Sequence, residues 1–317
     1  MRVVFMGTPD FAVATLKAIY HSHHEVVAVV TTLDKPSGRG LQLQSSEVKK
    51  YAVENNILVL QPVKLKDPEF IEQLKKYRAD IFVVVAFRML PFEVYSIPAK
   101  GTFNVHASLL PQYRGAAPIH WAIMNGETKT GITTFFLNHE MDCGEIILQR
   151  DTAIFPNETT GELYNRLKTL GAEIALETLL LIEKGEFTSY PQTCLEDTTL
   201  KLAPKIHKKD TEIDWSLPAK NIIDKIRGLS PYPGALVFLK KNDDTTITLK
   251  VFEAAITSEK TTKNIGKIDT DNKKFFYISS KDFKISILNL QLEGKKRLNI
   301  DLFLQGNPLS IYTIKQF

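Results

Sequence analysis

Asn104 and His106 flank Val105 in Asn104-Val105-His106-Ala107-Ser108-Leu109-Leu110-Pro111, and Asp142 follows downstream in Met141-Asp142-Cys143-Gly144. On an extended strand, residues two apart share a face, so this amide and this imidazole project together. A carboxamide can donate a hydrogen bond to a developing oxyanion, and a histidine can move a proton near neutral pH. Asp142, where the sequence marks a turn at a strand end, could orient the histidine or handle a proton. These are the parts of an acyl-transfer site. An N-x-H pair alone is weak evidence; the run through Tyr113-Arg114-Gly115-Ala116-Ala117-Pro118 and the later Asp142 strengthen it.

Other residues that could do chemistry carry plainer readings. Gly7-Thr8-Pro9-Asp10-Phe11 follows the first strand, where open α/β sheets bind ligands, but it lacks the further glycines of a dinucleotide fingerprint. Pro9 also suits the first turn of a helix, and Asp34 imitates a ribose-binding acid only weakly. Residues 33–46, with Arg39 between Gly38 and Gly40, read as a polar surface loop whose arginine could reach a phosphate or a base edge. His21, His23 and His24 read as a solvent-exposed cluster at a helix end, and His120, His139 and His207 lack metal-ligand spacing. Cys143 invites a thiol-nucleophile reading, against which a small packed side chain is the plainer one. Trp121 and Ile123 read as core.

The elements that must position these residues follow from periodicity. Residues 3–6, 26–31 and 81–86 are continuous apolar or β-branched runs, as strands buried on both faces are. Val13, Leu16 and Tyr20 give a helix after the first strand, and Leu74 belongs to another between Pro68 and Arg78. Residues 101–106 and 132–137 read as strands. Thr159 and Glu162 form a capping-box pattern, Leu163, Leu167, Leu170 and Ile174 line the helix behind it, and Gly185 stops that helix. Strands alternating with helices imply a parallel α/β sheet. Residues 218–228 read as a helix, and 236–239, 247–252, 275–278 and 285–290 as short strands, which suggests a small β-barrel of the OB kind. The expected division is a catalytic domain over 1–189, a linker over 190–214 and a C-terminal domain over 215–317.

The chain has 317 residues, 44% hydrophobic and 24% charged, the profile of an ordinary soluble globular protein. No apolar run approaches a membrane span, the first residues read straight into a strand without a signal-peptide layout, and two cysteines make no disulfide framework or zinc site. A cytoplasmic protein is expected. The net charge of +4 is unevenly placed: from Lys201 onward 21 Lys and Arg face 13 Asp and Glu, a balance of +8. A basic C-terminal part suggests a polyanionic partner, although a lysine-rich coding style explains the charge equally well.

With these residues in view, the chain resembles the methionyl-tRNA formyltransferases. The resemblance runs nearly end to end, through the 5–12 turn, the 34–40 loop, the 104–118 block, Met141-Asp142-Cys143-Gly144-Glu145-Ile146, Ile213-Asp214-Trp215 and Leu229-Ser230-Pro231-Tyr232-Pro233-Gly234-Ala235. It implies a Rossmann-like formyltransferase domain with a C-terminal OB-like β-barrel domain that helps hold tRNA. The implied reaction moves the formyl group of 10-formyltetrahydrofolate to the α-amino group of charged initiator methionyl-tRNA, without a metal, in a monomer. Asn104, His106 and Asp142 match the catalytic residues; Ser108, Leu109, Leu110 and Pro111 match the folate-binding segment. Arg39 matches a loop arginine near the acceptor end, and Phe11 the methionyl-binding position. Cys143 departs from the usual threonine, and Leu41, Gln42 and Leu43 leave the loop less basic than in some relatives. The alternatives are a formyltransferase acting on an amino sugar nucleotide, which shares the N-x-H chemistry, and a non-catalytic RNA-binding protein on the same fold.

Overall fold

The computed structural model describes residues 1–37, 42–192, 200–241, 245–261 and 264–314. The chain forms two compact units, one of Met1–Pro118, Lys129–Ala153 and Tyr164–Leu202, the other of Ile119–Thr128, Ile154–Leu163 and Ala203–Phe317. Two short segments thus group with the C-terminal part, an excursion for which a linear sequence carries no local signal.

In chain order the first part runs β1 (Arg2–Gly7), α1 (Asp10–Tyr20), β2 (Glu25–Val30), β3 (Lys35–Ser37), β4 (Gln42–Gln44), α2 (Glu47–Glu54), β5 (Val59–Leu60), α3 (Pro68–Lys76), β6 (Ile81–Val85), α4 (Phe92–Tyr95) and β7 (Thr102–His106). After α5 (Pro118–Met124) come β8 (Lys129–Phe136), β9 (Ile146–Ala153) and α6 (Thr160–Lys184). One sheet takes the order β5-β2-β1-β6-β7-β8-β9. Its first five strands are parallel, and β8 and β9 are antiparallel. The chain leaves β1 in opposite directions, to β2 and to β6, which makes the switch point at which such sheets bind ligands. The apolar runs behave as their composition dictates: Val3, Val4, Phe5 and Met6 are fully buried, as are Ile81, Phe82 and Val83.

Local chemistry sets the helix ends. Ser46 accepts the Lys49 N–H at 3.1 Å to cap α2, and Asp67 caps α3 ahead of Pro68. The capping box before α6 forms as its sequence implies: Glu162 accepts the Thr159 N–H at 2.8 Å, while Thr159 Oγ1 accepts the Glu162 N–H at 3.4 Å. Leu163, Leu167 and Ile174 are buried along α6, Leu170 is half-buried, and Gly185 ends the helix at φ 70°. The 33–46 stretch departs from the loop reading, because β3 and β4 pair as an antiparallel ribbon, Lys35 opposite Gln44 and Pro36 opposite Leu43. A polar two-stranded ribbon has no apolar alternation to announce it.

The second part comprises a 3-10 turn (Lys208–Thr211), α7 (Ala219–Gly228), β10 (Ala235–Lys241), β11 (Thr246–Lys260), β12 (Ile268–Thr270), β13 (Phe276–Ser279), β14 (Phe283–Leu292), β15 (Arg297–Asn299), α8 (Ile300–Leu304) and β16 (Tyr312–Ile314). Its sheet runs β12-β13-β14-β11-β10-β16, with β15 also on β14. The pairing of β11 with β14 shifts register between Val251 and Glu253, again before Ala254, and after Ile256. Such bulges increase the twist and bend the strand. β16 at one edge comes back to β12 at the other, so the sheet nearly closes into an OB-like barrel. Trp215, Ile222, Ile226, Leu249, Phe276, Ile285 and Phe303 fill it. The four strands read from sequence are present, three of them longer and β13 shifted by one residue; β12, β15 and β16 are three-residue strands too short to leave a pattern.

Candidate active site

The strand β7 lies between β6 and β8, with Asn104 opposite Val84 and Phe135, and His106 opposite Thr133. A central strand with both neighbours paired holds its backbone rigidly, so the common face of Asn104 and His106 is set by the pleat. His106 is 6% exposed, and its Nε2 lies 2.9 Å from the Tyr113 carbonyl oxygen. A carbonyl only accepts, so the proton sits on Nε2, and Nδ1 is the nitrogen left for chemistry. Nδ1 lies 4.0 Å from Asp142 Oδ2, too far for a hydrogen bond. Asn104 Oδ1 is buried with no hydrogen-bond partner. A buried amide atom left unpaired is costly, and it leaves capacity for a ligand.

The loop after β7 is held by buried hydroxyl and amide groups. Thr133 Oγ1 donates to Ser108 O at 2.7 Å and accepts from Leu110 N at 3.1 Å; Gln149 Nε2 donates to Leu110 O at 2.9 Å. Ser108 Oγ donates to Gln112 O at 2.7 Å. Tyr113 adopts φ 61°, a left-handed conformation uncommon for a bulky residue, which turns its carbonyl toward His106. Its own N–H donates to Lys201 O at 2.6 Å.

Asp142 sits in the β8–β9 turn at φ 55°. Its Oδ2 accepts the Gly115 N–H at 2.9 Å, which ties the turn to the loop following β7. Gln192 completes the attachment: its Nε2 donates to Asp142 O and Gly144 O, both at 2.9 Å, while its Oε1 accepts from Arg114 Nε at 3.0 Å and Nη2 at 2.7 Å. At Gly144 a Cβ would stand 1.6 Å from the Phe136 carbonyl oxygen, so only glycine lets the turn close. Sequence reading missed Gln192, Arg114, Thr133 and Gln149, because their roles depend on partners 16 to 78 positions away.

Among the residues singled out from sequence, the structure brings Asn104, His106 and Asp142 to one place and attaches the Ser108–Pro111 segment beside them. Phe11 is 5% exposed and stands elsewhere: a Cβ at Gly171 of α6 would meet both Val105 at 3.5 Å and the Phe11 ring at 3.7 Å. Val105 faces away from Asn104 and His106, so the Phe11 ring packs on the opposite face of the sheet. Its N–H donates to the Tyr164 hydroxyl at 3.0 Å, and that hydroxyl donates to Asp10, which Lys168 also engages at 3.0 Å. Burial pushes the Asp10 carboxyl up, but the Tyr164 and Lys168 hydrogen bonds outweigh it and hold the group below its ordinary value. Arg39 lies outside the described residues.

The rival chemistries find little support. Burial pushes the Cys143 thiol up, the reverse of an activated nucleophile. Asp34 is engaged by Lys49 Nζ at 2.6 Å and Gln61 Nε2 at 3.0 Å, which makes it an anchor beneath the β3–β4 ribbon. Trp121 is half-buried, with its indole N–H donating to Pro204 O at 2.8 Å. Among the described residues no helix is long and apolar enough to cross a membrane.

Comparison with known proteins identifies the family. Residues 1–179 match the formyl transferase family, and residues 205–308 match the formyl transferase C-terminal domain. The chain is 47% identical over 318 residues to the methionyl-tRNA formyltransferase of Parabacteroides distasonis, covering 99% of this chain and 98% of that protein. It is 50% identical over 309 residues to the enzyme of that description from Phocaeicola vulgatus, covering 96% and 95%. Among solved structures, a sugar 3N-formyl transferase determined with dTDP and 5-N-formyl-THF superposes with a TM-score of 0.66 at 21% identity, covering 93% of this chain and 99% of that one. HypX from Aquifex aeolicus, in complex with tetrahydrofolic acid, gives 0.64 at 19%, covering all of this chain and 51% of the other.

Proposed function

We propose, from the premise that this chain belongs to the methionyl-tRNA formyltransferase family, that it moves the formyl group of 10-formyltetrahydrofolate to the α-amino group of charged initiator methionyl-tRNA, in the cytoplasm. The observation that carries the catalytic assignment is the meeting of Asn104, His106 and Asp142, with the Asn104 side-chain carbonyl oxygen buried and unpaired. The neutral α-amine attacks the formyl carbon, the new C–N bond forms, and the carbonyl oxygen becomes an oxyanion. Asn104 donates to that oxyanion through its amide nitrogen. Collapse breaks the bond between the formyl carbon and N10 of the folate; the amine's proton leaves and N10 gains one.

The tautomer assigns the work at His106. With Nε2–H committed to Tyr113 O, Nδ1 accepts a proton in the neutral ring and donates only as the imidazolium. Nδ1 is therefore the proton-carrying atom, and His106 assists the oxyanion only when doubly protonated. The 108–111 segment is the proposed folate contact. Thr133 and Gln149 hold the Leu110 N–H and carbonyl, which fixes the backbone with which Ser108, Leu109, Leu110 and Pro111 would meet the folate. Arg39 is proposed to meet the acceptor end of the tRNA. Phe11 is proposed to present a ring edge to the methionyl side chain, with Tyr164 fixing its backbone.

The test offers 10-formyltetrahydrofolate together with charged initiator tRNA, charged elongator tRNA and an amino sugar nucleotide. Formylation of the initiator alone is expected. Formylation of the sugar in its place overturns the acceptor, and no transfer to any acceptor overturns the reaction. In the same assay Phe11→Ala is expected to raise KM for the charged tRNA severalfold and leave KM for the folate unchanged; an unchanged tRNA KM removes Phe11 from the acceptor site.

A further inference from the structure

The turn joining α1 to β2 carries His21-Ser22-His23-His24, and there the structure departs from the exposed cluster read from sequence: His24 is only 4% exposed. Near the C-terminus of α6, Glu183 faces the pair. His23 Nε2 lies 2.7 Å from Glu183 Oε2, and His24 Nδ1 lies 3.8 Å from Oε1. One donor atom from each of the three residues lies within 4.8 Å of the others. The Met1 ammonium stands among them, 3.3 Å from His24 Nδ1 and 3.2 Å from Glu183 Oε1.

This arrangement already holds a cation, and it fixes a tautomer. An ammonium only donates, so His24 Nδ1 turns a lone pair toward the cluster and carries its proton on Nε2, which is buried without a partner. The lone pair a metal needs is thus presented in advance by a ring that burial holds in place. Ligand atoms about 2.0–2.1 Å from a tetrahedral zinc stand about 3.3 Å apart, close to the separations found here, so small side-chain rotations suffice. Two imidazoles and a carboxylate make an N2O donor set, which suits zinc, nickel or copper and disfavours magnesium or calcium.

We propose that His23, His24 and Glu183 form a site for a divalent transition-metal ion of the zinc class, which takes the place of the Met1 ammonium among them. The cluster stands at the N-terminal ends of β1 and β2, whereas His106 closes the C-terminal end of β7. The metal is structural: it clips the α1–β2 turn to α6 and takes no part in acyl transfer.

The experiment titrates the untagged full-length protein, freed of metal by a chelator, with zinc in competition with a chromogenic zinc indicator. The expected result is one zinc per chain with a dissociation constant in the micromolar range or tighter, together with a rise of several degrees in melting temperature. His23→Ala and Glu183→Gln each weaken binding at least tenfold and abolish that rise; both positions are partly exposed, so these variants fold. Wild-type protein that takes up no stoichiometric zinc, or either variant that keeps wild-type affinity, overturns the site. Neither outcome bears on the formyl-transfer reading, whose residues lie elsewhere.

Discussion

The arm from Asn104 to Gly115, with the turn at Asp142, and the C-terminal sheet use their polar residues in opposite ways. In the arm, nearly every named polar group is aimed at a backbone atom: His106 at Tyr113, Ser108 at Gln112, Gln149 at Leu110, Gln192 at Asp142 and Gly144. Two non-glycine residues there, Tyr113 and Asp142, hold left-handed backbones. The C-terminal sheet is an antiparallel ladder, bulged along β11, over a filled core, and lysines such as Lys273, Lys274, Lys295 and Lys296 stand exposed at its turns. Chemistry at a carbonyl carbon needs atoms placed to a fraction of an ångström, which only redundant buried bonds secure. Attraction of a polyanion needs charge of the right sign within a screening length, which flexible side chains on the surface supply.

The comparison is broken most directly at the arm. Asn104→Ala is expected to lower kcat for formyl transfer about 100- to 1,000-fold, the usual cost of an oxyanion donor, without shifting the melting temperature downward. His106→Ala and Asp142→Asn are expected to fall in the same range, and the double variant of these two to lose little more than either alone, since they act as one unit. Near-normal turnover by any of the single variants in a steady-state assay removes that residue from the chemistry. Gln192→Ala tests whether placement is the arm's purpose. Loosening the Asp142 turn is expected to cost roughly 10- to 100-fold in kcat with little change in KM for the folate, as misplacement of a reacting group does.

Charge removal tests the other region. Replacing Lys273, Lys274, Lys295 and Lys296 with Gln is expected to weaken tRNA binding and flatten its salt dependence, by about 0.7–0.9 logarithmic units per tenfold salt for each phosphate no longer neutralised. Titrations of tRNA affinity against salt for both proteins check this, and equal slopes would make these lysines mere solvated surface. Substitution is a cleaner probe than truncation near Lys205, because Ile119–Thr128 and Ile154–Leu163 belong to the same compact unit and would lose their core. The smallest effect is expected at Cys143. Burial raises its thiol pKa, so the neutral thiol persists at pH 7 and the thiolate forms only as pH rises well above the ordinary range. Cys143→Ser should leave turnover within about twofold, and a large loss would revive thiol chemistry.

Much of the scaffold was legible because burial on two faces writes itself into composition. The runs at 3–6 and 81–86 could only be inner strands, and the Thr159–Glu162 box and Gly185 bracket α6 because capping is satisfied within a few residues. The shared face of Asn104 and His106 was legible for the same local reason. Phe11 shows where local reasoning stops: it follows β1 at the expected place, but the groups that hold it, Tyr164 and the backbone at Gly171 of α6, lie more than 150 positions away.

The sequence by itself therefore determined which residue types could do acyl-transfer chemistry, the period of the elements that carry them, and the sign of the C-terminal charge. Tertiary structure alone decided which nitrogen of His106 is free, since that depends on a carbonyl turned by a left-handed Tyr113. It alone seated Asp142 through Gly115 and Gln192, and it alone buried His24 against Glu183, 159 positions away. Periodicity and capping act over one or two turns of chain and leave a local trace. Tautomers, clamped turns and ligand clusters are set by contacts between distant segments, and no window of the sequence holds both partners.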